Sequence, residues 1–166
     1  MACRTVTMTN PLETWSQDRE VVLVKVLTHP RETVFAAWMD PIALAHWYGP
    51  ASLAIENHEA DIREGGVWRF DMVGMFEGQE QRFANLIRFL EIVPNERIVM
   101  DYGTPDPDDP DRFRVTVTFD SQADGKTVLT LRQLHPSPER RRAVIGFGAV
   151  EYGLQTLDGL ATWLDR

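Results

Sequence analysis

One cysteine, Cys3, is all the chain has. A disulfide framework is therefore excluded, and a reducing, cytoplasmic setting fits best. Long apolar runs are missing too. Nowhere do about 18 such residues follow one another, so no membrane insertion is expected. The opening MACRTVTMTN lacks the apolar core of a secretory leader. Positive charge is in deficit: Lys and Arg number 17 against 25 Asp and Glu, a formal net charge of -8. Nucleic acid would be repelled unless basic residues were gathered on one face. The one basic cluster, Arg140-Arg141-Arg142, opens a predicted helix and reads as a solvated face.

Chemical motifs are equally scarce. There is no H-E-x-x-H, C-x-x-C, G-x-S-x-G or P-loop. His29, His46, His58 and His135 have no neighbours at metal-ligand spacing. His29 and His135 each precede a proline at an element end, which predicts surface turn residues. Gly65-Gly66 is followed by a strand, so it is a hairpin turn and not a phosphate cradle. The acidic run Asp106, Asp108, Asp109, Asp111 lacks the central glycine and distal glutamate of a calcium loop. No catalytic residue, metal or cofactor is expected.

What remains is an ordinary globular composition, 43% hydrophobic and 25% charged over 166 residues. That is enough for one domain with a proper core. Residues 1–18 are polar and aperiodic and are expected to be a flexible extension; 19–166 form the domain. Val21 to Leu27 is a β-branched strand. His29-Pro30 and Asp40-Pro41 each open a short helix, ended by Gly49-Pro50. The period then becomes two. Trp68, Phe70 and Met72 share one face of a strand and Arg69 and Asp71 the other, so the sheet has one dry side. Strands are predicted over 52–62, 67–72, 82–93, 96–102, 115–119 and 128–133. If Leu53 and Ile55 face inward, Asn57, Glu59 and Asp61 share that side unless a bulge intervenes. Ser137-Pro138 starts a last helix, broken near Gly146-Phe147-Gly148. Its expected apolar face is Phe147, Val150, Leu154, Leu157, Ala161 and Leu164.

This order specifies an α+β helix-grip fold. A curved antiparallel sheet of about six to seven strands follows the first strand and two short helices, and the long C-terminal helix covers its dry face. A strongly curved sheet cannot close on one helix at both ends, so a hydrophobic cavity is expected between them. Candidate ligand-binding residues are Trp38, Trp47, Trp68, Phe70, Phe83, Tyr102 and Phe119, with Met72, Met75 and Met100 as adaptable neighbours. Gly153 and Leu157 are added from the helix. Gly153 either leaves space facing Trp38, Trp68 and Phe70 or marks close packing on the sheet.

Several segments also resemble a known family. Val34-Phe35-Ala36-Ala37-Trp38-Met39-Asp40-Pro41 and His46-Trp47-Tyr48-Gly49-Pro50 are similar to its F-x-A-W-x-D-P…W-W-G-P signature. Asp61 to Phe70 resembles its D-x-R-x-G-G-x-W-x-F turn, and Leu90 to Ile98 its E-I-x-P-x-E-R strand pair. Thr127 to Leu131 and Gln155 to Leu160 complete the order. The family is that of activators of heat-shock-chaperone ATPase homologues, within the START-like, or SRPBCC, superfamily. Many members carry Gly-Trp in the last helix where Tyr152-Gly153 stands here.

The resemblance implies the helix-grip fold and its cavity, and implies function far less. The first reading is a non-catalytic binder of a small hydrophobic or aromatic molecule. A chaperone-interacting protein and a polyketide-cyclase-like enzyme are the alternatives. A chaperone contact and a homodimer stay open as partners.

Overall fold

The computed structural model describes residues 10–166. Cys3 and the first half of the expected extension lie outside the described residues. Residues 10–19 form two short 3-10 turns, Pro11–Glu13 and Gln17–Arg19. The buried Arg19 guanidinium donates to the Pro11 and Thr14 carbonyls, and Arg114 donates to the Leu12 carbonyl at 3.0 Å.

The chain then runs β1 (Glu20–Leu27), α1 (Arg31–Met39), α2 (Pro41–Trp47), β2 (Leu53–Ala60) and β3 (Val67–Phe76). It continues through β4 (Gln79–Val93), β5 (Arg97–Gly103), β6 (Phe113–Gln122) and β7 (Lys126–Leu134) to α3 (Pro138–Phe147) and α4 (Ala149–Leu164). Asp40 caps α2, its carboxylate accepting the Ile42 N–H at 2.9 Å, and Ser137 caps α3 through the Arg140 N–H at 3.0 Å. Pro30 occupies the cap position of α1, one residue before its first helical residue.

The seven strands form one antiparallel, curved sheet in the order β1-β7-β6-β5-β4-β3-β2. The fold is the expected α+β helix grip. Strands β2 to β7 are a meander, and β1 returns to the far edge beside β7. In β1, Val21, Leu23 and Leu27 are buried, whereas Val22, Val24 and Val26 stand on the outer face. A bulge between Asn57 and Glu59 settles the register of β2. Asn57 pairs with Phe70 and turns inward, where its Oδ1 accepts the Trp68 Nε1–H at 2.8 Å. Glu59 pairs with Arg69 and joins the outer, charged face, so it does not share a side with Asn57.

The dry face carries Trp68, Phe70, Ile98, Met100, Val117, Phe119 and Leu129, against which α1, α2 and α4 pack. Trp68 lies on Phe70 with centroids 4.0 Å apart. The last helix does break, at Gly148 with φ +109°, a left-handed conformation that favours glycine. The break shifts the buried stripe of α4 to Thr156, Leu157, Leu160 and Leu164. Phe147 is 61% and Leu154 41% exposed, so neither belongs to the face expected of them. Among the described residues no helix is long and apolar enough to cross a membrane.

Candidate functional site

Helix α4 is held close at two points. A Cβ on Gly159 would lie 2.6 Å from the Trp47 carbonyl oxygen, and one on Gly153 would lie 2.3 Å from Leu23 Cδ1. These contacts pin α4 to α2 and to β1. Helix α3 has no buried residue of its own. Beneath it is a hollow of about 270 Å³, bounded by Tyr102, Phe113, Val115 and Leu131 of the sheet and by Val144, Tyr152 and Thr156 of the helices. A second hollow of about 580 Å³ adjoins it toward β3 and β4, sharing Pro50, Met72, Tyr102, Phe147 and Tyr152. Both volumes suit a small organic molecule.

Among the described residues no charged side chain stands in the wall of the inner hollow. Its polar groups come from Tyr48, Tyr102, Gln133, His135, Tyr152 and Thr156. The Tyr48 ring is wedged edge-on among Trp68 at 5.1 Å, Trp47 at 5.5 Å, Phe70 at 5.9 Å and Trp38 at 6.1 Å. Burial raises its pKa well above the ordinary phenol range, so it stays a proton donor. Tyr102 donates its hydroxyl to Asn85 Oδ1 at 3.0 Å; burial, and secondarily the proximity of Tyr48, raise its pKa as well.

His135 is 1% exposed. Its backbone N–H donates to the Arg19 carbonyl at 2.9 Å, and the Phe113 ring lies 4.8 Å from its own. Burial first, then the charges of Arg140 and Arg141, lower its pKa to about 4. At neutral pH it is therefore an uncharged imidazole, with Nε2 3.2 Å from Gln133 Oε1. The surface position expected for this residue is wrong. A tertiary tie of its backbone to Arg19 and the Phe113 ring on its imidazole place inside the protein a residue whose local sequence reads as a turn. The only cation bordering the outer hollow from α3 is Arg140, whose Nε is 3.5 Å from Asp111 Oδ1. The site can thus enclose an apolar body and offer hydrogen bonds to it.

The family model for activator of Hsp90 ATPase homolog 1-like proteins matches residues 28–165. The chain belongs to that family. No curated protein sequence matches it. Among solved structures, a protein of Chromobacterium violaceum is 29% identical, with a TM-score of 0.71, over 89% of this chain and 98% of its own. A Nitrosomonas europaea protein is 21% identical with a TM-score of 0.79, covering 91% and 97% of the two chains. An Arthrobacter aurescens protein is 18% identical with a TM-score of 0.80, covering 90% and 87%. The last two likenesses speak to the fold.

Within the family fold, the residues expected to line the cavity divide. Met72, Tyr102 and Gly153 line the inner hollow, and Phe83 joins Met72 and Tyr102 around the outer one. Trp47 borders a separate cleft between α2 and α4. Trp38, Trp68, Phe70, Met100, Phe119 and Leu157 are buried in the core and line neither hollow; they form the wall behind it. Met75 is exposed and takes no part. Gly153 touches Leu23, not Trp38, Trp68 and Phe70, so the close-packing alternative describes its α-carbon. Tyr48, Phe113, Gln133, His135 and Tyr152 were not among the expected lining. Only Tyr48 had a local signal, its place in the aromatic run before Gly49-Pro50.

In the acidic loop, Asp109 accepts from the Thr104 N–H at 2.8 Å, the Thr104 hydroxyl at 3.1 Å and the Asp111 N–H at 2.9 Å. Burial opposes ionisation of Asp109, but these hydrogen bonds and Arg112 outweigh it and lower the pKa. Asp106 accepts the Asp108 N–H at 2.9 Å, and Asp111 pairs with Arg140 of α3. Among the described residues no group of three or more His, Cys, Asp or Glu is placed to hold a metal ion.

Proposed function

We propose that the protein binds a small hydrophobic molecule in the hollow between sheet, α3 and α4, without covalent chemistry. The observation that carries this reading is the pair of adjoining, mainly apolar hollows beneath α3 and the first half of α4. A chain of ordinary composition closes such a space with side chains unless something else fills it, because interiors pack to near crystal density.

The test is displacement and fluorescence of the apolar reporter N-phenylnaphthylamine. Wild type should enhance its emission at micromolar concentration. Ala149→Trp places a bulky ring at the start of α4, where Ala149 lines the inner hollow. It should weaken reporter binding about tenfold or more while leaving the urea midpoint unchanged. No enhancement in wild type, or equal binding by the folded variant, refutes the reading.

Family membership supports a second reading, contact with a heat-shock chaperone. It is separated from the first by the chaperone's ATPase rate with and without this protein. A rate that does not respond removes it.

A further inference from the structure

The polar groups of the inner hollow are unequally served. Tyr102 donates to Asn85, and the Thr156 hydroxyl donates to the Tyr152 carbonyl at 3.0 Å. Gln133 and His135 face one another at 3.2 Å. The Tyr152 hydroxyl has no hydrogen-bond partner among the described residues, and neither has the Tyr48 hydroxyl. Nor is it one of the partnerless polar atoms sealed off by protein, which are Trp38 Nε1, Arg112 Nη1, His135 Nδ1 and Arg140 Nε. Tyr48 is half-buried and lines the hollow, and its hydroxyl lies near enough to that of Tyr102, on the same wall, to raise the Tyr102 pKa, so it borders that space. Its ring cannot turn away, since Trp38, Trp47, Trp68 and Phe70 hold it edge-on. A fixed O–H bordering a mainly apolar hollow is a donor awaiting an acceptor.

We infer that the molecule bound in the inner hollow carries a neutral oxygen acceptor, a carbonyl on an apolar ring system, and that Tyr48 donates the hydrogen bond that orients it. This deepens the ligand-binding reading and rests on it. The acceptor is neutral because no Lys or Arg among the described residues lines the inner hollow, and a carboxylate there would be desolvated without a counter-charge. The body is a ring because Tyr102, Phe113 and Tyr152 present aromatic surface around the space, which ring edges and faces fit best. A carbonyl also replaces the hydrogen bond that a water at Tyr48 would otherwise make.

Acetonaphthone and ethylnaphthalene share size and shape and differ in the oxygen. The dissociation constant of each is measured by displacing N-phenylnaphthylamine from wild type and from Tyr48→Phe. The substitution should weaken acetonaphthone roughly fivefold, the effect of one net hydrogen bond, and leave ethylnaphthalene unchanged. Equal effects on both probes, or none on either, overturn the role of Tyr48 while the ligand-binding reading stands. If neither probe displaces the reporter from wild type, the hollow is not a ligand site for such molecules and the inference falls with it. The infrared carbonyl band of acetonaphthone bound to wild type gives a readout independent of the variant's folding. It should lie below its position in hexane, and an unshifted band overturns the inference.

Discussion

Burial of His135 beside Arg140 and Arg141 makes this one side chain an acid-sensitive point of the fold. Its folded pKa is lowered to about 4, against about 6.5 for an unfolded histidine. Between those values the unfolded chain binds the proton and the folded one does not. Stability therefore falls as pH drops from about 6.5 toward 4, and this contribution levels off below 4. Glu20, Asp71 and Asp109 have lowered pKa values and lose their contributions at lower pH still, as their own carboxylates protonate. His135→Gln should therefore recover part of the stability lost between pH 7 and 5, on the order of 1–2 kcal/mol by urea titration. Identical pH dependence in the variant would show that the imidazole charges without cost. At this scale legibility was uneven. Trp68 and Phe70 could be placed from alternation alone, because a strand's two faces are written in its sequence. The burial of His135 could not, because it is produced by Arg19 and Phe113, far away in the chain. Tyr48 was visible only as one more aromatic; that its hydroxyl lacks a partner is a property of the space around it.

Among the elements, α4 shows how a sequence pattern can be right in kind and shifted in place. A long amphipathic C-terminal helix with a break near 146–148 was legible, since proline, glycine and apolar spacing are local signals. The buried stripe was not, because the left-handed Gly148 assigns Phe147 to α3 and rotates the face toward Leu157, Leu160 and Leu164. The β2 register depended likewise on a bulge at Asn57, which the sequence could flag as an alternative but not locate. The two helical glycines now differ in meaning. A Cβ at 159 meets a backbone carbonyl oxygen, which cannot move without displacing α2. A Cβ at 153 meets the tip of Leu23, which can rotate. Alanine improves helix propensity at either site by about 1 kcal/mol. Gly159→Ala should nonetheless lower stability by about 1–3 kcal/mol through overpacking, whereas Gly153→Ala should be near neutral. Urea midpoints of the two variants decide it; equal midpoints would mean that α2 yields as readily as a leucine side chain.

For the whole molecule, the grip is asymmetric. On the α4 side, helix and sheet meet through backbone-close contacts at Gly153 and Gly159, and Leu157 and Leu160 are fully buried. On the α3 side there is a ten-residue helix without a buried residue, joined to α4 through Gly148. Val144 and Phe147 of α3 nonetheless line the inner hollow, so a molecule bound there would add apolar contact to α3. Local stability follows buried apolar contact, and segments with few such contacts open at low free energy. Amides of α3 should therefore exchange with deuterium well before those of the second half of α4. Saturation with N-phenylnaphthylamine should slow exchange in α3 selectively, because binding stabilises the closed state in proportion to ligand concentration over its dissociation constant. The core strands β5 and β6 should change little, since Ile98, Met100 and Val117 are already buried. An α3 as protected as α4 without ligand would contradict this weak hold of α3 on the fold. So would protection that rises uniformly across the molecule, since that is the signature of a ligand held elsewhere or of global stabilisation alone.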